Sequence, residues 1–216
     1  MVKPNIIFVC FALIFCWHSM AVAESGPREL LEGKDFQRIE PAIATQNDDD
    51  RIEIVELFLY ACPHCHILEH KLTKWAKEQS DHVSLTRMPA IVGDSWTVQA
   101  RAYYTAEKLG ILDTVHQAFF KSIHEDGEQY TDVNAVKRFF VSQGIKPTDF
   151  IETYQSLEID KKVKEARILT HQYGIRGVPA IIVNGKYKTA QYLTGSQERL
   201  LAVLDLLVEK EQNAKK

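Results

Sequence analysis

The segment of this chain whose residue types and spacing can do chemistry is Cys62-Pro63-His64-Cys65. Two cysteines separated by two residues at the start of a helix can close a disulfide with each other and reopen it. Only a thiolate attacks another disulfide, and a helix N-terminus offers unpaired N–H groups and the positive end of the helix dipole to stabilise that anion. Cys62, the first and more exposed of the two, gains most, and His64 can donate to its sulfur or add positive charge. A thiolate stabilised in this way favours the dithiol, so the disulfide form is a good oxidant. The pattern therefore assigns Cys62 as the nucleophile and Cys65 as the resolving thiol. Two other readings compete. Half of a zinc site looks the same, with His64, His66 and His70 as possible further ligands, but zinc takes four and no second Cys-x-x-Cys follows. An inert structural disulfide is the other, although a bridge across two residues closes too small a loop to stabilise much by chain entropy.

The elements that must hold this motif are legible on either side of it. Ile52 to Tyr60 is β-branched and aromatic, with apolar residues on both alternating faces, as in a central strand covered by helices on both sides. After the motif, Leu68, Leu72, Trp75 and Ala76 fall at helical spacing, so a helix begins within or just after the cysteines, and Pro63 suits its first turn. Val83 to Met88 alternates weakly and reads as the next strand. From about Trp96 to Tyr173 the apolar pattern is helical, punctuated by Gly110, Gly127, Gly144 and Pro147 into short helices. Val178 to Val183 reads as a strand with Pro179 at its start. Asn184-Gly185 signals a tight hairpin, and Lys186 to Lys188 is the return strand. Ser196 is placed to cap a final helix with Leu200, Leu204, Leu207 and Val208 on its buried face. The run Asp48 to Arg51 reads as a solvated turn, and the Lys-rich end from Lys210 to Lys216 as frayed. Strand, helix, strand, helical block, hairpin and helix describe one α/β sheet interrupted by a helical insertion.

Composition bounds the partners and the compartment. The 216 residues carry 26 Lys+Arg against 29 Asp+Glu, a net charge of −3, so no basic field is available to hold a nucleic acid. Met1 to Asn5 carries one cation, Lys3; Ile6 to Trp17 is apolar but too short to span a bilayer; Ala21-Val22-Ala23 has the small-x-small pattern of a cleavage site. Residues 1–23 are therefore expected to be a cleaved export signal, an uncleaved anchor being the alternative. Cleavage removes Lys3 and leaves 25 basic against 29 acidic residues, a net −4. It also removes Cys10 and Cys16, leaving Cys62 and Cys65 as the cysteines of the exported protein. A disulfide scaffold is thereby excluded, and an oxidising compartment is one in which such a pair persists as a disulfide.

Val55-Glu56-Leu57-Phe58, Cys62-Pro63-His64-Cys65, Arg176-Gly177-Val178-Pro179-Ala180 and Val183-Asn184-Gly185-Lys186-Tyr187, in this order, closely resemble the periplasmic disulfide-bond protein A (DsbA) family. The resemblance covers essentially the whole exported chain. It implies a thioredoxin-like domain in two parts, residues 24–95 and 174–216, around a helical insertion at residues 96–173. It implies that Pro179 is cis and lies beside the active disulfide, with the backbone of Val178 pairing with an extended substrate; an edge-strand proline is the plainer reading. Glu56 matches a carboxyl that lies below the disulfide and helps to move the proton of the buried cysteine. A carboxyl there is expensive to bury unless it is useful. Glu69 and Arg87 match a supporting acid and base, Arg87 standing where the best-known member has Lys; since Arg does not release its proton, a relay needing a neutral amine is in doubt there. A plain surface ion pair is the competing reading of Glu69 and Arg87. Residues 87–95 differ from the best-known members, which leaves the shape of the hydrophobic groove beside the site open.

The function implied is a monomeric thiol:disulfide oxidase without cofactor or metal, active in a Gram-negative periplasm. It would pass the Cys62–Cys65 disulfide to reduced, newly exported proteins and be reoxidised by a quinone-linked membrane oxidase of the DsbB type. A reductase or isomerase on the same fold is the alternative. Isomerases of this kind resemble dimers joined by an N-terminal domain, for which residues 24–50 are too few. A metal carrier using Cys62, Cys65 and His64 is the alternative from another class.

Overall fold

The computed structural model describes residues 29–47 and 49–215, so the expected export signal at residues 1–23 lies outside the described residues. Five strands form one mixed sheet: β1 (Gln37–Arg38), β2 (Ile52–Phe58), β3 (Val83–Pro89), β4 (Ala180–Val183) and β5 (Tyr187–Ala190), in the order β1-β5-β4-β2-β3. β2 and β3 are parallel, joined by the crossover helix α1 (Pro63–Glu78), and the other pairings are antiparallel. Between β3 and β4 lie α2 (Thr97–Lys108), α3 (Leu112–His124), α4 (Val133–Ser142), α5 (Pro147–Tyr154) and α6 (Leu157–Gln172). After β5 come the short α7 (Gln191–Thr194) and the long α8 (Gln197–Ala214).

β2 is buried along its whole length because both faces are covered. Ile52 and Ile54 pack with Leu68, Leu72 and Trp75 of α1 and with Leu200, Leu204 and Leu207 of α8. Val55 and Leu57 join a second core with Phe119 and Phe120 of α3, Phe140 of α4 and Ala166 of α6. The active-site strand is thus clamped between two cores. Glu56 falls in the alternation of Ile52 and Ile54 and so belongs to the α1 side of the sheet.

Several boundaries differ from expectation. β2 ends at Phe58, and Tyr60 sits buried in the turn that follows. The return strand is Tyr187–Ala190 rather than Lys186 to Lys188, because the turn takes Asn184 (φ 52°) and Gly185 (φ 65°) and Lys186 closes it by donating to Val183 O at 3.0 Å. A Cβ on Gly185 would sit 1.8 Å from the carbonyl oxygen of Ile43, so only glycine fits where the N-terminal segment crosses the hairpin. That segment also supplies β1, an edge strand of two residues too short to leave a pattern. The C-terminal end is not frayed from Lys210: α8 runs to Ala214, and buried Glu211 accepts from Asn184 Nδ2 at 2.6 Å and Lys186 Nζ at 2.7 Å. Asp49, Asp50 and Arg51 form an exposed bend, as expected, with Asp48 outside the described residues.

Candidate active site

Cys62 is the N-cap residue of α1 and Pro63 its first helical residue, where a missing N–H leaves no hydrogen bond unmade. Cys62 is half-buried and Cys65 buried, both as free thiols. The Cys62 thiol is made more acidic, to about 6: a hydrogen bond from the Cys65 side chain favours the thiolate most. Burial opposes it, and the backbone N–H groups of Cys65 and His64 and the charge of His64 add to the lowering. Cys65 moves the other way, well above the usual thiol range, through burial first and its role as donor to Cys62 second. One thiol is poised to be an anion and its neighbour to stay protonated. His64 is exposed, consistent with a charge acting through space.

Beneath Cys65 lies the charged group that the sequence left open as a surface pair. It is a buried cluster. Parallel register places Glu56 of β2 beside Arg87 of β3, and Glu69 of α1 closes over them. Glu56 is 1% exposed and Glu69 3%. Arg87 donates to Glu69 from Nε at 3.0 Å and from Nη2 at 2.8 Å, and its Nε lies 3.3 Å from Glu56. Glu56 is pushed up to about 8, by burial and then by the charge of Glu69, with Arg87 offsetting part. Burial also acts against the charge of Glu69, but His116 and Arg87 outweigh it and hold that carboxyl down at about 2. Glu56 acts on the Cys65 thiol electrostatically, raising it further.

On the opposite side of Cys62, Val178–Pro179 is a cis peptide bond, and Cys62 Sγ lies 3.6 Å from Val178 O. Pro179 is buried and Val178 half-exposed. His64, Val178, Pro179, Gln191, Tyr192 and Gly195 line a shallow cleft beside the cysteine, with Tyr192 exposed at its rim. The structure therefore brings together the residues proposed for the exchange site: Cys62, Pro63, His64 and Val178 reaching the surface, Cys65 and Pro179 buried against them, and Glu56, Glu69 and Arg87 below.

Other members of the site carry no sequence signal. His116 of α3 is buried, with Nδ1 2.8 Å from Tyr60 Oη and Nε2 3.2 Å from Glu69 Oε2. In the sequence it sits among the apolar residues of α3 and reads as a core position. Gln99 accepts from Ala61 N at 2.9 Å, His124 Nε2 contacts Tyr60 O at 2.7 Å, and Gln197 donates to His64 O at 3.2 Å. Helices α2, α3 and α8 thus fasten the active-site loop from three directions. Among the described residues no group of three or more His, Cys, Asp or Glu side chains could hold a metal ion, and no helix is long and apolar enough to cross a membrane.

Comparisons with known proteins agree with this geometry. The DSBA-like thioredoxin domain family matches residues 81–202. The thiol:disulfide interchange protein DsbA of Pseudomonas syringae pv. tomato is 35% identical over 166 residues, covering 77% of this chain and 78% of that protein. That of Azotobacter vinelandii is 34% identical over 193 residues, covering 89% and 90%. The crystal structure of Pseudomonas aeruginosa DsbA superposes with a TM-score of 0.79 at 32% identity, covering 85% of this chain and 98% of that one.

Proposed function

The chain belongs to the DsbA family and is a thiol:disulfide oxidoreductase with a thioredoxin-like fold, and from that premise we propose that it works as an oxidase. An incoming substrate thiolate attacks Cys62 Sγ, the more accessible sulfur. The Cys62–Cys65 bond breaks, its electron pair goes to Cys65, and a proton from Glu56 neutralises that buried sulfur. A second substrate thiolate then attacks the substrate sulfur of the mixed disulfide and releases Cys62 as a thiolate. The observation that carries the direction is the opposed acidity of the two thiols: a leaving group held near 6 departs readily and makes the dithiol the favoured product. Cis Pro179 and the half-exposed Val178, whose carbonyl lies 3.6 Å from Cys62 Sγ, support a role in holding an extended substrate strand.

The apolar stretch and small-x-small pattern of residues 1–23 support export, and the family supports a periplasmic site of action. Newly exported proteins are then the substrates, and a DsbB-type quinone oxidoreductase is the partner that restores the disulfide. The protein is read as a monomer, with the dimeric isomerase arrangement as the alternative. The division into residues 24–95, 96–173 and 174–216 suits the placement of α2 to α6 between β3 and β4.

Equilibration with glutathione buffers tests the direction. A reduction potential near about −120 mV, the value known for a member of this same family, is expected; one near about −270 mV, where thioredoxin lies, would make the protein a reductant and overturn the reading.

A further inference from the structure

Two buried carboxyls lie in the cluster beneath Cys65, and Arg87 Nε reaches both, 3.3 Å from Glu56 and 3.0 Å from Glu69. Their remaining partners are unequal. Glu69 also accepts from Arg87 Nη2 at 2.8 Å and from Thr73 Oγ1 at 3.1 Å, and meets His116 Nε2 at 3.2 Å. Among the described residues neither oxygen of Glu56 has a hydrogen-bond partner. One guanidinium does not compensate two buried carboxylates, so one of the pair holds a proton, and the donors decide which.

We propose that His116 is a positioning residue of the exchange reaction: by donating to Glu69 and not to Glu56, it keeps the negative charge on Glu69 and the transferable proton on Glu56, beside Cys65. The tautomer follows from the partners. Burial pushes the Tyr60 phenol well up, so its O–H persists and donates to Nδ1, leaving the ring N–H on Nε2 facing Glu69. The ring is held by edge contacts with Phe58, Phe120 and Tyr103. The charged and titratable groups around it are Tyr60 of the turn after β2, Glu69 and Lys77 of α1, Arg87 of β3, Tyr103 of α2, and Asp113 on its own helix; Lys77, Asp113 and His116 line the same cavity. With Glu69 held low and Glu56 high, the two carboxyls take distinct jobs, charge holder and proton carrier.

This rests on the oxidase reading and adds a direction-specific consequence. In disulfide donation, Glu56 must give a proton to the departing Cys65 sulfur and is reprotonated from water. In reoxidation, Cys65 must lose its proton to an ionised Glu56 before its sulfur attacks Cys62 Sγ in a mixed disulfide, expelling the partner thiolate. Loss of the His116 donor lets the charge move toward Glu56, so donation slows while the resolving step quickens. A defect of packing slows both.

The test is His116→Phe beside His116→Gln, whose Nε2 can still donate to Glu69. Donation is read with the oxidised protein and a reduced peptide. The resolving step is read as release of glutathione from the Cys62–glutathione mixed disulfide. If proton binding at Glu56 weakens tenfold, from a midpoint of about 8, donation by His116→Phe at pH 7 falls about twofold and the resolving step rises about fivefold, with both pH profiles displaced to lower pH; His116→Gln keeps wild-type values. Unchanged rates, equal slowing in both directions, or a His116→Gln protein that behaves like His116→Phe overturns the proposal. Should the Phe variant not fold, carboxyl ¹³C titration of the wild type decides. Glu69 ionised and Glu56 protonated at neutral pH supports it; both ionised, or the reverse, overturns it. A wild-type protein inert toward both glutathione and peptide overturns the oxidase reading itself, while the carboxyl titration still reads the charge assignment separately.

Discussion

Buried acids occur at both ends of the strands around β4, and they are treated in opposite ways. At the hairpin end, Glu211 is 2% exposed and meets an amide and an ammonium, Asn184 and Lys186, which outweigh the penalty of burial and hold its acidity above the ordinary. Asp35, which is tied to Thr189 of β5 and to the first turn of α8 rather than to the hairpin turn, is likewise buried and paired, accepting from Arg199 at 3.1 and 2.9 Å. At the cysteine end, Glu56 is as deeply buried, but among the described residues its oxygens have no hydrogen-bond donor, its neighbour Glu69 repels it, and the Arg87 cation beside it is shared. A satisfied buried carboxylate fastens a fold. An unsatisfied one near a titrating thiol holds a proton ready for transfer.

If chemistry is confined to the cysteine end, Cys62→Ser abolishes exchange in an insulin-reduction or peptide-oxidation assay, and Cys65→Ser leaves a reactive Cys62 that accumulates mixed disulfides. Residual turnover in Cys62→Ser would break the assignment. Asp35→Ala, by contrast, is expected to lower stability by about 3 kcal/mol in urea unfolding, since it strands a largely buried Arg199, while the reduction potential stays that of the wild type. A shifted potential would mean that this pair is coupled to the cysteines.

Glu56→Leu has the opposite expected sign. Removing an uncompensated carboxyl leaves Arg87 fully paired with Glu69, so stability is unchanged or rises by about 1 kcal/mol, while disulfide donation slows. A loss as large as that of Asp35→Ala would show that Glu56 is structural after all.

The pH dependence sharpens the same contrast, read on the oxidised protein so that thiols do not titrate. Glu56 titrates higher in the fold than in the unfolded chain, so its contribution is complete below about pH 4.5 and is lost as pH rises through about 8. Glu211 is lowered, so its contribution is present above about pH 4.5 and is lost on acidification. Glu56→Gln is therefore expected to flatten the alkaline limb of the stability curve and Glu211→Gln the acid limb. Either substitution acting on the other limb would contradict the assignment.

Much of the frame around the cysteines was legible in the chain because it rests on local signals. Pro63 and the spacing of Leu68, Leu72 and Trp75 mark α1, Asn184-Gly185 marks the hairpin, and Ser196, which accepts from Arg199 N, marks the start of α8. What stayed hidden depends on pairs far apart in sequence. The burial of Glu69 and Arg87 follows from the register that sets Glu56 beside Arg87, and residue types alone do not state that register. His116 is separated from Glu69 by 47 positions and from Tyr60 by 56, and Gln197 from His64 by 133. The C-terminal turn of α8 read as frayed because its lysines are local while the partners of Glu211 lie on another element. The resemblance to DsbA proteins pointed correctly to a cis Pro179, a conformation with no signature in composition or periodicity.

The central claim is that the fold splits two neighbouring thiols into an anion and a protonated partner. Thiolate absorbance of the reduced wild-type protein, followed from pH 3 to pH 10 with Cys65→Ala as control, tests it directly. The account predicts one thiolate appearing with a midpoint near 6 and no second one until well above the ordinary thiol range. Two thiols titrating together near 9 would contradict it.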